Sequence, residues 1–299
     1  MDTHISVNSH GSEVRDLGRF EKPVLVCGGA YSNLEALSAL LEAADALSIP
    51  PERIIHTGDV IAYCADPAET AELLRSARVH AILGNVEESL SASLADCQCG
   101  FEAESLCSAL SAEWFAYADA RVGDELRQWM GRLPRHLTFE MSGRRIRVVH
   151  GGVREVNRFV FASQPESDLE AEFAAADADM VIAGHSGLPF TRFAGSRVWH
   201  NSGPLGLPAN DGTLRAWFSV LTPRAGGITI EHHAIDYDFE TARTKMVEAG
   251  LCAGYADALR TGLWPSLDVL PQPERLQTGA PLDLSEPIHW KPGAALPNL

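Results

Sequence analysis

The 299-residue chain is long enough to bury a sizeable core, as one large domain or two small ones. Its 45% apolar and 21% charged residues are the balance of an ordinary globular protein, and no apolar run approaches the ~18 residues that read as a membrane span. A formal net charge of −16 argues against nucleic acid, which is bound through clustered Lys and Arg.

The opening M-D-T-H-I-S-V-N-S-H lacks the basic start and apolar centre of a signal peptide, so a cytoplasmic protein is expected. Residues 1–22 are polar, show no periodicity, and read as an irregular tail. Lys22 to Cys27 is the first strand, ended by Gly28-Gly29. That pair lacks the further glycines of a dinucleotide fingerprint and any Walker lysine, so it is not read as a phosphate loop. Ser32-Asn33-Leu34-Glu35 fits a capping box, and Leu34, Leu37, Leu41 and Ala44 then share one helix face until Ile49-Pro50-Pro51 stops it.

Ile54-Ile55 runs into His56-Thr57-Gly58-Asp59. Downstream, Asp66 is placed to cap a helix that has Pro67 at its first position and Glu69 three residues after the cap. Asp59 therefore sits past a strand's C-terminal end, the edge where open α/β sheets collect ligands. Alone, Gly-Asp reads first as a turn. Three more apolar runs, however, end the same way: Val79–Leu83 in Gly84-Asn85, Ile146–Val149 in His150-Gly151, and Met180–Ala183 in Gly184-His185. Asp59, Asn85, His150 and His185 on one edge make a mixed oxygen and nitrogen set suited to one divalent ion: Zn, Fe or Mn.

Glu87 and Glu88 open the helix after Asn85. Acidic residues there complement the helix dipole, and they are also candidates for a catalytic acid or base. An insertion at about 90–132 carries Cys97, Cys99 and Cys107 as C-x-C-x7-C, with Cys64 upstream. These four are either a second metal or redox site or reduced, partly buried thiols; Cys27 and Cys252 read as core. Residues 103–132 form a helical cap bearing Trp114, Phe115 and Trp129. His136 to Met141 and Arg145 to Val149 then pair about Ser142-Gly143 as a hairpin.

Arg154, Asn157 and Arg158, just after His150, are candidates for holding an anionic group, with salt-bridged surface arginines as the competing reading. The runs 188–193, 196–201 and 216–221 are expected to continue a mainly antiparallel second sheet, with 227–236 as a further strand. His200 either lines the cleft or is structural. Helices are expected at about 238–249 and 253–262, followed by a proline-rich irregular tail over 266–299 that Ile288-His289-Trp290 pins to the body. The chain has no internal repeat and no low-complexity tract.

In motif order and flanking residues, the chain resembles the calcineurin-like metallophosphoesterases, in particular their small bacterial branch. The motifs D-x-H-G-N, G-D, G-N-H-[DE], H-G, G-H-x-H and N-P-G-S stand here as follows. They are Gly29-Ala30-Tyr31-Ser32-Asn33, Gly58-Asp59, Gly84-Asn85-Val86-Glu87, His150-Gly151, Gly184-His185-Ser186-Gly187 and Asn201-Ser202-Gly203-Pro204. The resemblance implies a four-layer αββα sandwich over residues 23–265. The β-α alternation of the first third and the strand-rich middle support the same architecture independently.

It also implies metal ligands. One of the family's two ions keeps its whole set here, Asp59, Asn85, His150 and His185. The other loses three of four positions, which are Gly29, Tyr31 and Gly187. The His that protonates the leaving group in the family is Val86. Tyr31 is read either as a ring filling the vacated pocket or as a phenol that hydrogen-bonds a water or substrate. Asn33 joins Arg154, Asn157, Arg158 and His200 as a substrate-contact candidate.

The leading expectation is a mononuclear metal-dependent hydrolase of an anionic small molecule. The alternatives are an inactive scaffold that binds a protein partner, as a retromer subunit of this fold does, and metal or redox chemistry at the cysteines.

Overall fold

The computed structural model describes residues 13–102 and 104–291. In chain order its first elements are strands β1 (Val14–Arg19) and β2 (Val24–Cys27), helix α1 (Leu34–Ala46), β3 (Ile54–His56), α2 (Pro67–Ala77), β4 (His80–Ala81) and α3 (Asn85–Ser91). There follow α4 (Leu106–Asp119), α5 (Asp124–Met130), the hairpin β5 (His136–Met141) and β6 (Arg144–Val148), α6 (Glu166–Ala176), β7 (Met180–Ala183), β8 (Phe190–Ala194) and β9 (Arg197–Asn201). The last are β10 (Ala216–Arg224), β11 (Gly227–Ile235), α7 (Phe239–Glu248), α8 (Ala253–Thr261), α9 (Gln272–Arg275) and β12 (Ile288–Trp290). Among the described residues no helix is long and apolar enough to cross a membrane.

Two six-stranded sheets result, in the orders β12-β11-β10-β2-β3-β4 and β1-β5-β6-β7-β9-β8. Alternation along the strands stacks them. Val24 and Val26 of β2 point inward to meet Leu137, Phe139, Ile146, Val148 and Ile182 of the other sheet. Leu25 and Cys27 point outward, into a core made with Leu37 and Leu40 of α1, Leu74 of α2 and Trp114 of α4. On the far side, Leu169 and Phe173 of α6 cover Val181 and Trp199. The layers are helix, sheet, sheet, helix, as expected.

Four local expectations are corrected. Residues 14–19, assigned to an irregular tail, form β1, parallel to β5 with Val14 opposite His136. The run at 216–221 joins the first sheet instead of the second, because β10 lies antiparallel to β2 with Phe218 opposite Cys27. The second sheet is mixed: β6–β7 and β7–β9 are parallel, β5–β6 and β8–β9 antiparallel. Both acid-led helix starts are also capped differently. Asn33, not Ser32, caps α1 by accepting the Ala36 N–H at 3.0 Å. Asp66 precedes α2 but makes no cap bond, since Lys245 takes its carboxylate at 2.6 Å together with that of Glu35. A charged partner outcompetes a neutral N–H for the same oxygen.

At the C-terminus, Ile288-His289-Trp290 forms β12 and pins the chain to the body, as expected. Trp290 in β12 is buried between the sheets, opposite Ile228 of β11. The expected tails at 1–12 and 292–299 lie outside the described residues.

Candidate metal centre

β3, β4, β6 and β7 run so that the residues after their C-terminal ends meet between the two sheets. After β3 the chain turns through Gly58 (φ +91°) and Asp59 (φ +58°), left-handed conformations that glycine and aspartate adopt more readily than most residues. A Cβ on Gly58 would stand 2.7 Å from His150 Nδ1 and 2.8 Å from the Gly84 nitrogen, so no other residue fits.

Glu87 fixes this turn. Its carboxylate, fully buried, accepts the N–H groups of Asp59 (2.7 Å), Val60 (2.9 Å) and Gly84 (2.9 Å). Burial and the neighbouring Asp59 charge push its acid up to about 7, against the pull of those N–H groups.

His150 is the hub. Its Nδ1 lies 2.7 Å from the Thr57 carbonyl, a bond in which only the ring N–H can donate, so Nε2 faces the centre with its lone pair. Around that Nε2 stand Asn85 Oδ1 at 3.0 Å, His185 Nδ1 at 3.1 Å and Asp59 Oδ2 at 3.2 Å. Asn85 is held oxygen-first, because its amide N–H groups donate to the Cys97 carbonyl (2.9 Å) and the Cys99 sulfur (3.3 Å).

Four lone-pair donors this close repel unless a cation or proton lies among them. Donors sharing one ion at about 2.0–2.2 Å stand about 3 Å apart when adjacent, so the set fits a divalent ion. Among the described residues it is also where three His, Cys, Asp or Glu side chains gather as a metal-holding group, namely Asp59, His150 and His185.

The electrostatics agree. Burial would raise the Asp59 carboxyl, but the charge and hydrogen bond of His150 hold it below the usual carboxylate range. Burial would lower His150, and Asp59 instead keeps it above its ordinary value. His185 is pushed down to about 3 by burial and by His150, so it presents a neutral, ligating imidazole.

The surroundings of Gly29 and Gly187 are built differently. A Cβ on Gly29 would fall 2.2 Å from the Tyr31 ring, and one on Gly187 would fall 3.0 Å from the ring of Trp264. The two rings thus occupy the space into which side chains at 29 and 187 would project. Trp264 is locked there by its indole N–H on the Pro208 carbonyl (2.7 Å). Tyr31 packs edge-on to Tyr63, ring centres 5.0 Å apart.

Between the rings and the centre lies a cavity of about 60 Å³, room for a few waters or the head of a small ligand. Asp59, His185, Val86, Cys99 and Cys107 line it beside Tyr31, Tyr63, Phe159, Tyr255 and Trp264. Among the described residues, no Lys or Arg does.

The other candidates are engaged in contacts of their own. Glu87 has both oxygens on backbone N–H groups, and Glu88 pairs with Arg135. Arg158 lies against Glu172 at 3.4 Å, and Arg154 is exposed. Asn33 holds the Gly206 carbonyl as well as capping α1, and the Asn157 amide donates to the Gln98 carbonyl. His200 is buried on Thr191 at 2.8 Å, beside His232. The cysteines gather no metal cluster among the described residues. Cys97 and Cys99 are disulfide-bonded, whereas Cys64 and Cys107 are separate buried thiols.

Of the aromatic wall, sequence reasoning names Tyr31 alone and misses Tyr63, Phe159, Tyr255 and Trp264. Their signal was indirect: glycines at two ligand positions leave volume that some bulky side chain must fill.

Known proteins are similar to this chain. An uncharacterized protein of Methanocaldococcus jannaschii is 22% identical over 242 residues, covering 75% of this chain and 92% of its own. A metallophosphoesterase crystal structure from Sphaerobacter thermophilus superposes with a TM-score of 0.63 at 22% identity, over 82% of this chain and 100% of that one. A hypothetical protein from Pyrococcus horikoshii OT3 gives 0.68 at 18% identity, over 81% and 99%. These structures share the fold. The model of the calcineurin-like phosphoesterase superfamily domain matches residues 2–222, and the chain belongs to that superfamily.

Proposed function

We propose that the chain is a phosphoesterase-type hydrolase that works with one divalent ion held by Asp59, Asn85, His150 and His185. The observation that carries this is the pairing of two facts. Three donor atoms stand 3.0–3.2 Å from His150 Nε2, and aromatic rings fill the space beside Gly29 and Gly187. When bound, a divalent ion supplies Lewis acidity and lowers the pKa of a coordinated water toward neutrality.

The chain's own residues do the rest. Thr57 keeps His150 in the ligating tautomer. Glu87 sets the Asp59 turn, and the cavity's apolar walls keep bulk water from the reacting group. Val86 has no proton to give a leaving group, so substrates with good leaving groups are favoured. Tyr31 lines the cavity and, raised well above 10 by burial, stays a phenol that can donate a hydrogen bond to a substrate oxygen. With no arginine or lysine in the lining, the ion is the attraction for an anion. A small, singly charged ester with an apolar group suits the cavity better than a polyphosphate.

Elemental analysis of the purified protein, followed by hydrolysis of bis(p-nitrophenyl) phosphate, tests this. One ion per chain and turnover, both lost in His150→Ala/His185→Ala, are expected. Two ions per chain, or ion-free turnover, would overturn the single-ion reading. One ion with no turnover of any ester would leave an ion-dependent binding protein.

A further inference from the structure

The disulfide between Cys97 and Cys99 lies directly behind a metal ligand. Both hydrogens of the Asn85 amide point at this pair, one to the Cys97 carbonyl at 2.9 Å and one to the Cys99 sulfur at 3.3 Å. Those two bonds aim Asn85 Oδ1 at His150 Nε2. Cys99, 6% exposed, also lines the cavity beside the centre, while Cys97, 3% exposed, is not part of the lining. The residue between them is tied across the cleft as well, since the Gln98 carbonyl accepts from Asn157 Nδ2 at 2.8 Å.

We propose that Cys97 and Cys99 are a redox-active pair that clamps Asn85 when oxidised and loosens it when reduced, so that the redox state sets metal affinity. The inference rests on the single-ion reading above.

A low-molecular-weight thiol is the reductant. Its thiolate attacks Cys99 Sγ, the sulfur–sulfur bond breaks, and the electron pair leaves on Cys97 Sγ. A second thiol then attacks the mixed disulfide at the small molecule's sulfur and releases the Cys99 thiolate. Two protons from the thiols finish as the two cysteine S–H groups, and the reductant leaves as its disulfide. Once the short ring is open, the Cys97 carbonyl and Cys99 sulfur are no longer held together against one amide. Loss of a partner that orients a ligand lowers metal affinity by about 10- to 100-fold.

The test equilibrates the whole protein in glutathione buffers of graded redox ratio and counts free thiols by alkylation and mass spectrometry. After anaerobic removal of glutathione, Mn²⁺ is titrated and the free ion read by electron paramagnetic resonance. Manganese is chosen because thiolates are poor ligands for it.

The expected result is alkylation of Cys97 and Cys99 that switches together, with affinity about tenfold weaker in the reduced protein. Cys97→Ser/Cys99→Ser should bind as the reduced form does under every buffer, and Cys252→Ser, at a free cysteine outside the cavity lining, should respond like the parent. Thiols that stay fully alkylatable under oxidising glutathione would overturn the proposal, as would a switching pair with unchanged affinity. Manganese bound in neither state would sink the single-ion reading and the clamp with it. The alkylation pattern separates that failure from one confined to the cysteines.

Discussion

Two neighbouring regions of the molecule are lined in opposite ways. At the metal centre, donors come from four different strand ends, and three of the four are oriented by a second group. Thr57 orients His150, the Cys97–Cys99 segment orients Asn85, and Val86 N–H meets Asp59 Oδ1 at 3.3 Å. Beside the centre, around Gly29 and Gly187, the lining is mainly aromatic. Glycines at 29 and 187 leave room, and Tyr31 and Trp264 take it. A polar pocket is stable only while its partners are complete. Once ligands are missing, an aromatic filling costs less than leftover lone pairs in a dry cavity.

The largest effect should follow removal of donors at the metal centre. His150→Ala/His185→Ala takes away half the set, and affinity for a divalent ion should fall by far more than about 100-fold, read by competition with a chelating dye. Substituting Tyr31 or Trp264 by Phe should leave affinity nearly unchanged. If it fell comparably, the contrast between the regions would be false.

Acid and base should distinguish them next. The proton on His150 competes with the ion, and Asp59 holds that proton above the ordinary His value of 6.5. Affinity should therefore rise with pH through and somewhat beyond that value, by about tenfold per unit below the raised pKa. The same shifts fix the sign for the metal-free protein. Asp59, lowered from 3.8, contributes stability that is lost as pH falls through its folded value. His150, raised, contributes stability that is lost as pH rises through its own. Thermal melts of metal-free protein should peak between the two, and Asp59→Asn should flatten both flanks.

Much of this contrast could be read from residues in order. Strand ends followed by Gly-Asp, Gly-Asn, His-Gly and Gly-His mark where ligands emerge, because strand direction alone decides that edge. The alternation of Val24 and Val26 with Leu25 and Cys27 likewise implies two covered faces. What could not be read depends on partners far along the chain. Tyr63, Phe159, Tyr255 and Trp264 come from four separate loops or helices, and nothing local says that they converge. Asp66 looks like a cap until Lys245, 179 residues on, takes its charge. β1, V-R-D-L-G-R, is mostly exposed and carries no alternation, and its pairing with β5 supplies what its own pattern lacks.

Glu87 offers a smaller test of how the metal centre is supported. Glu87→Gln keeps the shape but exchanges one acceptor oxygen for a donor that faces backbone N–H groups. About 2 kcal/mol of stability should go, since hydrogen bonds to a charged group contribute about 1.5–3 kcal/mol. The ion should then bind more weakly through the displaced Asp59 turn. Unchanged melting with unchanged affinity would mean the turn holds itself.

The smallest effect sharpens the comparison most. Gly29→Ala places a methyl 2.2 Å from the Tyr31 ring, an overlap that the packed wall of Tyr63 and Tyr255 does not let the ring escape freely. Overpacking of this kind costs about 1–3 kcal/mol. In a Tyr31→Ala background the same methyl meets empty space, so its cost should nearly vanish. The double-mutant cycle should give a coupling of about 1 kcal/mol or more, measured by urea denaturation. Additive effects would mean that the ring does not fill the space beside residue 29, and strong coupling would mean that it does.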